Sequence, residues 1–373
     1  MGDNMLRKFT VDNYKNFKDP ITLDFTKKHD YQFNEYCIKD GLISKMVIFG
    51  ENGSGKSNLG FALFDIVAVL TDNEKDAITD ATSFLCADTN KRVATFTYEF
   101  QFGDTIVEYC YKKSKPEKID SEILTVNGVQ TIKYTRHSHN VILGVGNSAQ
   151  TLNFENKPDH LSVVRFIYNN SVLEDDHPVA LIVKFVNRML WFRSLQNRRY
   201  VGFKKGTANI AAYLVEKNKV SDFERFLEET AGIKVSLASY RDPISQQVTL
   251  IEKHSKKAMS FLDVASTGTR ELLLFYYWSL FFDEVSFLFV DEFDAFYHFE
   301  LSRNLIKYVA QLNNTQAVFT SHNTYLASND VLRPDCYWNL RNGKITSFAD
   351  STGRELREGH NIEKMLRNGE FNG

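Results

Sequence analysis

The stretch Met46-Val47-Ile48-Phe49-Gly50-Glu51-Asn52-Gly53-Ser54-Gly55-Lys56-Ser57-Asn58 runs into apolar residues at helical spacing from Leu59 to Leu70. Four consecutive apolar residues ending at a glycine read as a buried strand, and the periodic segment after them as a helix. Gly50 to Ser57 matches the phosphate-loop pattern GxxxxGK[ST]. Its glycines let backbone N–H groups curl around phosphate oxygens without Cβ clashes. The helix starting there adds its positive end. Gly50, Asn52, Gly53, Ser54, Gly55, Lys56, Ser57 and Asn58 are therefore candidate ATP-binding residues. Lys56 would reach the β- and γ-phosphates, and the Ser57 hydroxyl would ligate Mg²⁺.

A strand ending in acids completes such a site. Phe287-Leu288-Phe289-Val290-Asp291-Glu292 has this form, with its acids at the carboxyl end where α/β sheets bind ligands. Asp291 would hold Mg²⁺, and Glu292 would polarise the attacking water as general base. Just upstream, Ser266-Thr267-Gly268 opens a helix read over about 267–282. A hydroxyl, a glycine and a helix start make a second phosphate cradle, and an ordinary N-cap explains Ser266 as well. Helix 299–312 and strand 317–319 follow, then His322 at the strand's end.

Strands alternating with helices imply a parallel sheet in an α/β core. Elsewhere the period is two. Phe9 and Val11, then Ile21, Leu23 and Phe25, read as two strands. Residues 93–112 read as a hairpin about Gly103-Asp104, and 123–134 as another about Asn127-Gly128, giving an antiparallel β lobe. Residues 173–245 read as helices, clearest at Ala180–Leu195 and Val220–Thr230, and strand character returns at Gln247–Glu252.

The net charge of −2 excludes a histone-like binder and an acidic disordered tail. A local basic stretch survives that balance: Lys184, Arg188, Arg193, Arg198, Arg199, Lys204 and Lys205, with Trp191 and Phe192 interleaved. It reads either as a nucleic-acid contact over 184–205 or as a solvated face over an aromatic stripe. No run reaches the ~18 apolar residues of a membrane span, and the N-terminus lacks a signal-peptide core, so a cytoplasmic protein is expected. Cys37, Cys86, Cys110 and Cys336 form no close pair and are expected to be reduced thiols. The 30 phenylalanines imply a large aromatic core or adhesive surfaces.

In this order the motifs resemble the ABC-type ATPase heads of the SMC and RecF group, and the resemblance covers most of the chain. Phe9-Thr10-Val11-Asp12-Asn13-Tyr14-Lys15-Asn16-Phe17 resembles the group's opening, in which the basic residue, here Lys15, lies near nucleotide. Asn52 to Asn58 has the group's NGSGKSN spelling. Asp291-Glu292-Phe293-Asp294 with His298, and the tail Asn361–Phe371, resemble the OLD-type and abortive-infection ATPases. In the tail Leu366 replaces an aromatic and Glu370 a basic residue.

The resemblance implies the signature motif at Ser266 and Gly268, the interface-crossing loop at Asp294 and the switch histidine at His322. It leaves the role of His298 open, and only Gln101 stands near the place of the metal-linking glutamine. It implies a P-loop core of the ABC/SMC-head type with an antiparallel lobe and a helical insertion, divided 1–172, 173–245 and 246–373. It also implies a homodimer around two ATP molecules, or a higher oligomer, acting in antiphage defence on a separate effector such as a nuclease or toxin. The ~210 residues between Lys56 and Ser266 are too few for a long coiled coil. The roughly fifty after His322 are too few for a Toprim nuclease. A RecF-like DNA-repair ATPase using 184–205, and a scaffold that binds ATP with little turnover, are the alternatives.

Overall fold

The computed structural model describes residues 4–72, 83–138, 140–143, 152–154, 157–158, 161–193, 199–202, 209–295 and 297–371. Strand Lys45–Phe49 is buried at every residue, and helix Lys56–Leu70 follows the loop. The strand sits inside a seven-stranded sheet ordered Arg199–Gly202, Met189–Arg193, Phe287–Asp291, Gln316–Ser321, Lys45–Phe49, Tyr337–Arg341, Lys344–Ser347. The five inner strands are parallel. Phe287–Asp291 and Gln316–Ser321 are buried throughout, as expected of strands covered on both faces.

A second sheet is antiparallel throughout, ordered Asn140–Leu143, Val129–Thr135, Lys118–Val126, Thr105–Lys115, Ala94–Phe102, Asn4–Asp12, Ile21–Asp24. Its turns carry the expected chemistry: Gly103 has φ 59°, and Asn127 and Gly128 have φ 47° and 80°, the left-handed pair that a two-residue hairpin needs. Ala94–Phe102 alternates strictly and the middle of Thr105–Lys115 follows it, so one face collects the aromatics Phe96, Tyr98, Phe100, Tyr109 and Tyr111, all fully buried.

Helix Lys56–Leu70 is the layer between the two sheets. Tyr98 donates its hydroxyl to Ala62 O at 2.9 Å from one side. From the other, Trp191 and Phe289 press so close that a Cβ on Gly60 would lie 2.9 Å from each ring. Glycine is needed there for close approach. A buried ion pair, Asp65 with Lys113 at 2.8 Å, ties the helix to the antiparallel sheet. Helices Val220–Ala231, Thr267–Ser279 and Phe299–Ala310 meet through Phe226, Phe275 and Tyr308.

Three expectations change. The helix read over Ala180–Leu195 ends at Val186, and Met189–Arg193 is a strand paired with Phe287–Asp291. A short apolar run buried on both faces carries no period that separates strand from helix. Trp191 and Phe192 are consequently core residues, 0% and 6% exposed, and cannot stack on bases. Of the basic stretch, Lys184 pairs with Asp175 and Arg188 donates to Glu284 O. The side chains of Arg193 and Arg199, and residues Arg198, Lys204 and Lys205 entirely, lie outside the described residues. Finally, no phenylalanine stands among the exposed large hydrophobic side chains of the described residues. The described phenylalanines are buried or half-buried, so they give no reason to expect an adhesive surface. The four cysteines are free, as expected.

Candidate functional site

The loop between strand Lys45–Phe49 and its helix is shaped by two crowded glycines. A Cβ on Gly50 would lie 2.5 Å from Ser54 Oγ and 2.8 Å from Leu340 O. Gly55 has φ 106°, and a Cβ there would lie 2.4 Å from Asn16 Nδ2. Asn16 braces the loop from outside: its Nδ2 donates to Ser54 O at 3.4 Å, and its Oδ1 accepts from Asn58 Nδ2 at 2.7 Å. The opening motif thus reaches the loop through Asn16. Its neighbour Lys15 has φ 50° and lies over the Tyr14 and Phe61 rings.

Lys56 is folded onto the loop, donating to Gly50 O at 2.7 Å and Glu51 O at 3.1 Å. Burial lowers its pKa, while the charges of Glu292, Asp291 and Asp294 oppose that shift. The three carboxylates therefore act electrostatically on the loop lysine, although their strand is not its neighbour.

Strand Gln316–Ser321 lies between the two, and its end organises the acids. Thr320 donates its hydroxyl to Asp291 Oδ1 at 2.6 Å and accepts from Glu292 N at 2.9 Å. Ser321 donates to Asp294 Oδ2 at 2.9 Å. Glu292 has φ 47°, a conformation costly for a residue with a Cβ and one held in place by its surroundings. Asp294 is 7% exposed, and burial raises its pKa against the hydrogen bond from Ser321.

His322 follows and, with Phe49 to Ser54, Asn339 to Asn342 and Leu366, lines a cavity of about 480 Å³ beside the loop. Lys56, Ser57, Asp291, Glu292 and Asp294 are not in this lining, and neither are Ser266 and Gly268. Ser266 caps helix Thr267–Ser279, its Oγ accepting from Thr269 N at 3.1 Å. Gln101 lies on the antiparallel sheet, where its Oε1 accepts from Arg7 at 3.3 Å. His298 precedes helix Phe299–Ala310 with its ring against Phe299.

The residues present suit a nucleotide with Mg²⁺. The loop backbone is bent to a shape only glycine tolerates, a buried amine sits within it, and the buried Ser54 Oγ has no hydrogen-bond partner in the protein. Among the described residues no group of three His, Cys, Asp or Glu side chains could hold a metal by itself. Mg²⁺ usually takes one or two carboxylates plus phosphates and water. Asp291 with one oxygen bonded to Thr320, and Ser57 at the loop's end, fit that pattern.

Sequence reasoning missed Asn16, Thr320, Asn339 to Asn342 and Leu366 as residues of this site. Asn342-Gly343 between apolar alternations was a hairpin signal for the third of these, with φ 50° and 69°.

Strand, loop and helix in a parallel sheet, with an antiparallel lobe laid over the helix, define an α/β P-loop fold. Residues 161–328 match the family model described as "AAA domain, putative AbiEii toxin, Type IV TA system". That range holds Ser266, Asp291, Glu292 and His322 and leaves out the loop at 50–57. No curated protein sequence matches the chain. Among solved structures, similarity extends to an SMC head bound to the C-winged helix domain of ScpA, at 15% identity and TM-score 0.47 over 92% of this chain and 97% of that one. The SMC head domain from Thermotoga maritima aligns at 15% identity and TM-score 0.43, over 92% of this chain and 98% of that one. An Smc head with extended coiled coil bound to the C-terminal domain of ScpA derived from Pyrococcus furiosus aligns at 14% and 0.43, over 92% and 96%. Among the described residues no helix is long and apolar enough to cross a membrane.

Proposed function

We propose that the chain binds ATP with Mg²⁺ and hydrolyses it, as a cytoplasmic ABC-type ATPase of the SMC and RecF-like kind. The observation that carries this is that Lys56, His322 and the pair Asp291-Glu292 stand at the carboxyl ends of three consecutive parallel strands, with the acids raising the pKa of Lys56 against its burial. Ligands of open α/β sheets bind at that edge. Lys56 supplies fixed positive charge inside the loop, and Glu292 takes the proton of the attacking water. His322 stands at the cavity wall, where it can touch a terminal phosphate. Mg²⁺, held by Ser57 and Asp291, would supply charge neutralisation between the phosphates.

Ser266 and Gly268 belong, in this reading, to the site of a second copy, so two chains close around two nucleotides. The three-part division at 172 and 245 goes with it as a proposal, strand Met189–Arg193 being shared with the core sheet. Antiphage defence through a separate effector is part of the same proposal; the family description sets the matched domain in a toxin–antitoxin system.

The test is turnover and size together. Purified chain should hydrolyse ATP, Lys56→Ala should not, and Glu292→Gln should dimerise on adding ATP. Turnover no greater than that of Lys56→Ala would leave an ATP-binding scaffold. A chain that never self-associates with ATP in any form defeats the shared-site model.

A further inference from the structure

We propose that Thr320 and Ser321 are positioning residues that hold the acidic end of strand Phe287–Asp291 in working order. This deepens the ATPase reading and rests on it.

Strand Gln316–Ser321 separates the loop strand from the acidic strand, so the two halves of the site do not pair directly. What the intervening strand offers the acidic segment is a pair of hydroxyls. A threonine hydroxyl has one proton and two acceptor positions. Thr320 spends its proton on Asp291 Oδ1 and uses an acceptor position for Glu292 N–H. Both partners are thereby fixed. One carboxylate oxygen of Asp291 is occupied, which leaves Oδ2 for the metal. The backbone of Glu292 is held at φ 47° by the bond to its N–H.

Thr320 is 0% exposed, so no water can replace it without rearrangement. Ser321, also 0% exposed, holds Asp294 in the same way. The next residue is His322, on the cavity wall. One strand end therefore carries the histidine and the two hydroxyls that set all three acids.

The experiment uses the full chain and three variants. Thr320→Val keeps the shape and removes both hydrogen bonds, Thr320→Ser keeps both, and Ser321→Ala frees Asp294. Turnover is measured, and so is affinity for a non-hydrolysable ATP analogue with and without Mg²⁺.

Thr320→Val should bind the analogue without Mg²⁺ as the native chain does and lose most of the gain that Mg²⁺ brings. Its kcat should fall roughly ten- to a hundredfold, the scale of one lost hydrogen bond to a charged group. Thr320→Ser should restore both readouts. Ser321→Ala should lower kcat with analogue affinity unchanged, and it carries the test alone if Thr320→Val does not fold.

Native kcat and native Mg²⁺ gain in Thr320→Val, or a Thr320→Ser as impaired as Thr320→Val, overturns the proposal. So does native kcat in Ser321→Ala. Absent turnover in the native chain, or turnover surviving Lys56→Ala, is a different result that strikes the ATPase reading itself and takes this proposal with it.

Discussion

Replacing Lys113 by Met should destabilise the protein far more than the loss of one surface charge would. Lys113 donates to both oxygens of Asp65, at 2.8 and 3.0 Å, and the two side chains are 3% and 2% exposed. At an effective dielectric near 20, opposite charges at this separation attract by about 6 kcal/mol, much of it offset by desolvation. Removing only the lysine keeps the carboxylate's desolvation and discards its compensation. Tyr111 alone then donates to Asp65, at 2.8 Å. The cost should be about 3–5 kcal/mol, as for other broken buried pairs. Asp65→Asn in the Lys113→Met background removes the stranded charge and keeps an acceptor for Tyr111. The double variant should recover at least about 2 kcal/mol of that loss. Urea unfolding of the native chain, both single variants and the double variant gives the coupling energy directly. A loss under about 1 kcal/mol for Lys113→Met, or a double variant as unstable as the sum of the singles, would refute the reasoning.

Lys45, at the start of the loop strand, is 2% exposed and donates to Leu312 O and Thr315 O, and burial lowers its pKa to about 8. Between pH 8 and the ordinary value near 10.5 the unfolded chain holds a proton that the folded one has lost, so stability should rise with pH there, by up to about 3 kcal/mol. Lys45→Met should lack that rise in urea titrations at pH 7.5, 9 and 10, and a parallel rise in the variant would assign it elsewhere. Gly55→Ala should abolish tight ATP binding, because φ 106° and the contact with Asn16 both forbid a Cβ. Adding Asn16→Gly relieves only the contact, so full rescue in an ATP-binding titration would show that φ is not limiting. Phe371 stacks on Phe348 at 4.2 Å, and Phe348 on Phe49 at 5.6 Å, directly before Gly50. Phe371→Ala should cost about 3 kcal/mol and loosen the tail that brings Leu366 to the loop cavity. Limited proteolysis should then cut within 352–371, and an unchanged cleavage pattern would contradict it.

The parts of the fold legible in the sequence are those written in local chemistry. Gly50 to Ser57 is legible because each glycine answers a local backbone demand, and the β lobe because Gly103 and Asn127-Gly128 set turns between runs of period two. Met189–Arg193 was not legible, because a strand buried on both faces has no period. The hairpin Tyr337–Ser347 has its turn signal at Asn342-Gly343, but strands of five and four residues are too short to show a period. For Ser266 the sequence left two readings, and the cap is visible in the structure because capping is a bond within one turn.

The site shows the same division between local and distant information more sharply. Lys56, Asp291 and Glu292 can be named from sequence because each closes a motif. What joins them cannot be named that way. Thr320 lies 29 residues from Asp291, and Asn16 lies 42 residues from Asn58. No spacing rule links such pairs, since the chain returns to its partner through intervening elements whose length the chemistry does not specify. A threonine at a strand end is also ordinary, favoured there by β-branching alone. Only the sheet order gives it meaning. Once Gln316–Ser321 is placed between the loop strand and the acidic strand, its last two hydroxyls are the groups within reach of Asp291, Glu292 and Asp294. A strand chosen for sheet propensity could meet that position with valine, and the acids would then sit over an apolar end with Glu292 N–H unpaired. Threonine at 320 and serine at 321 are therefore the residues whose identity the acidic strand constrains and the local pattern does not.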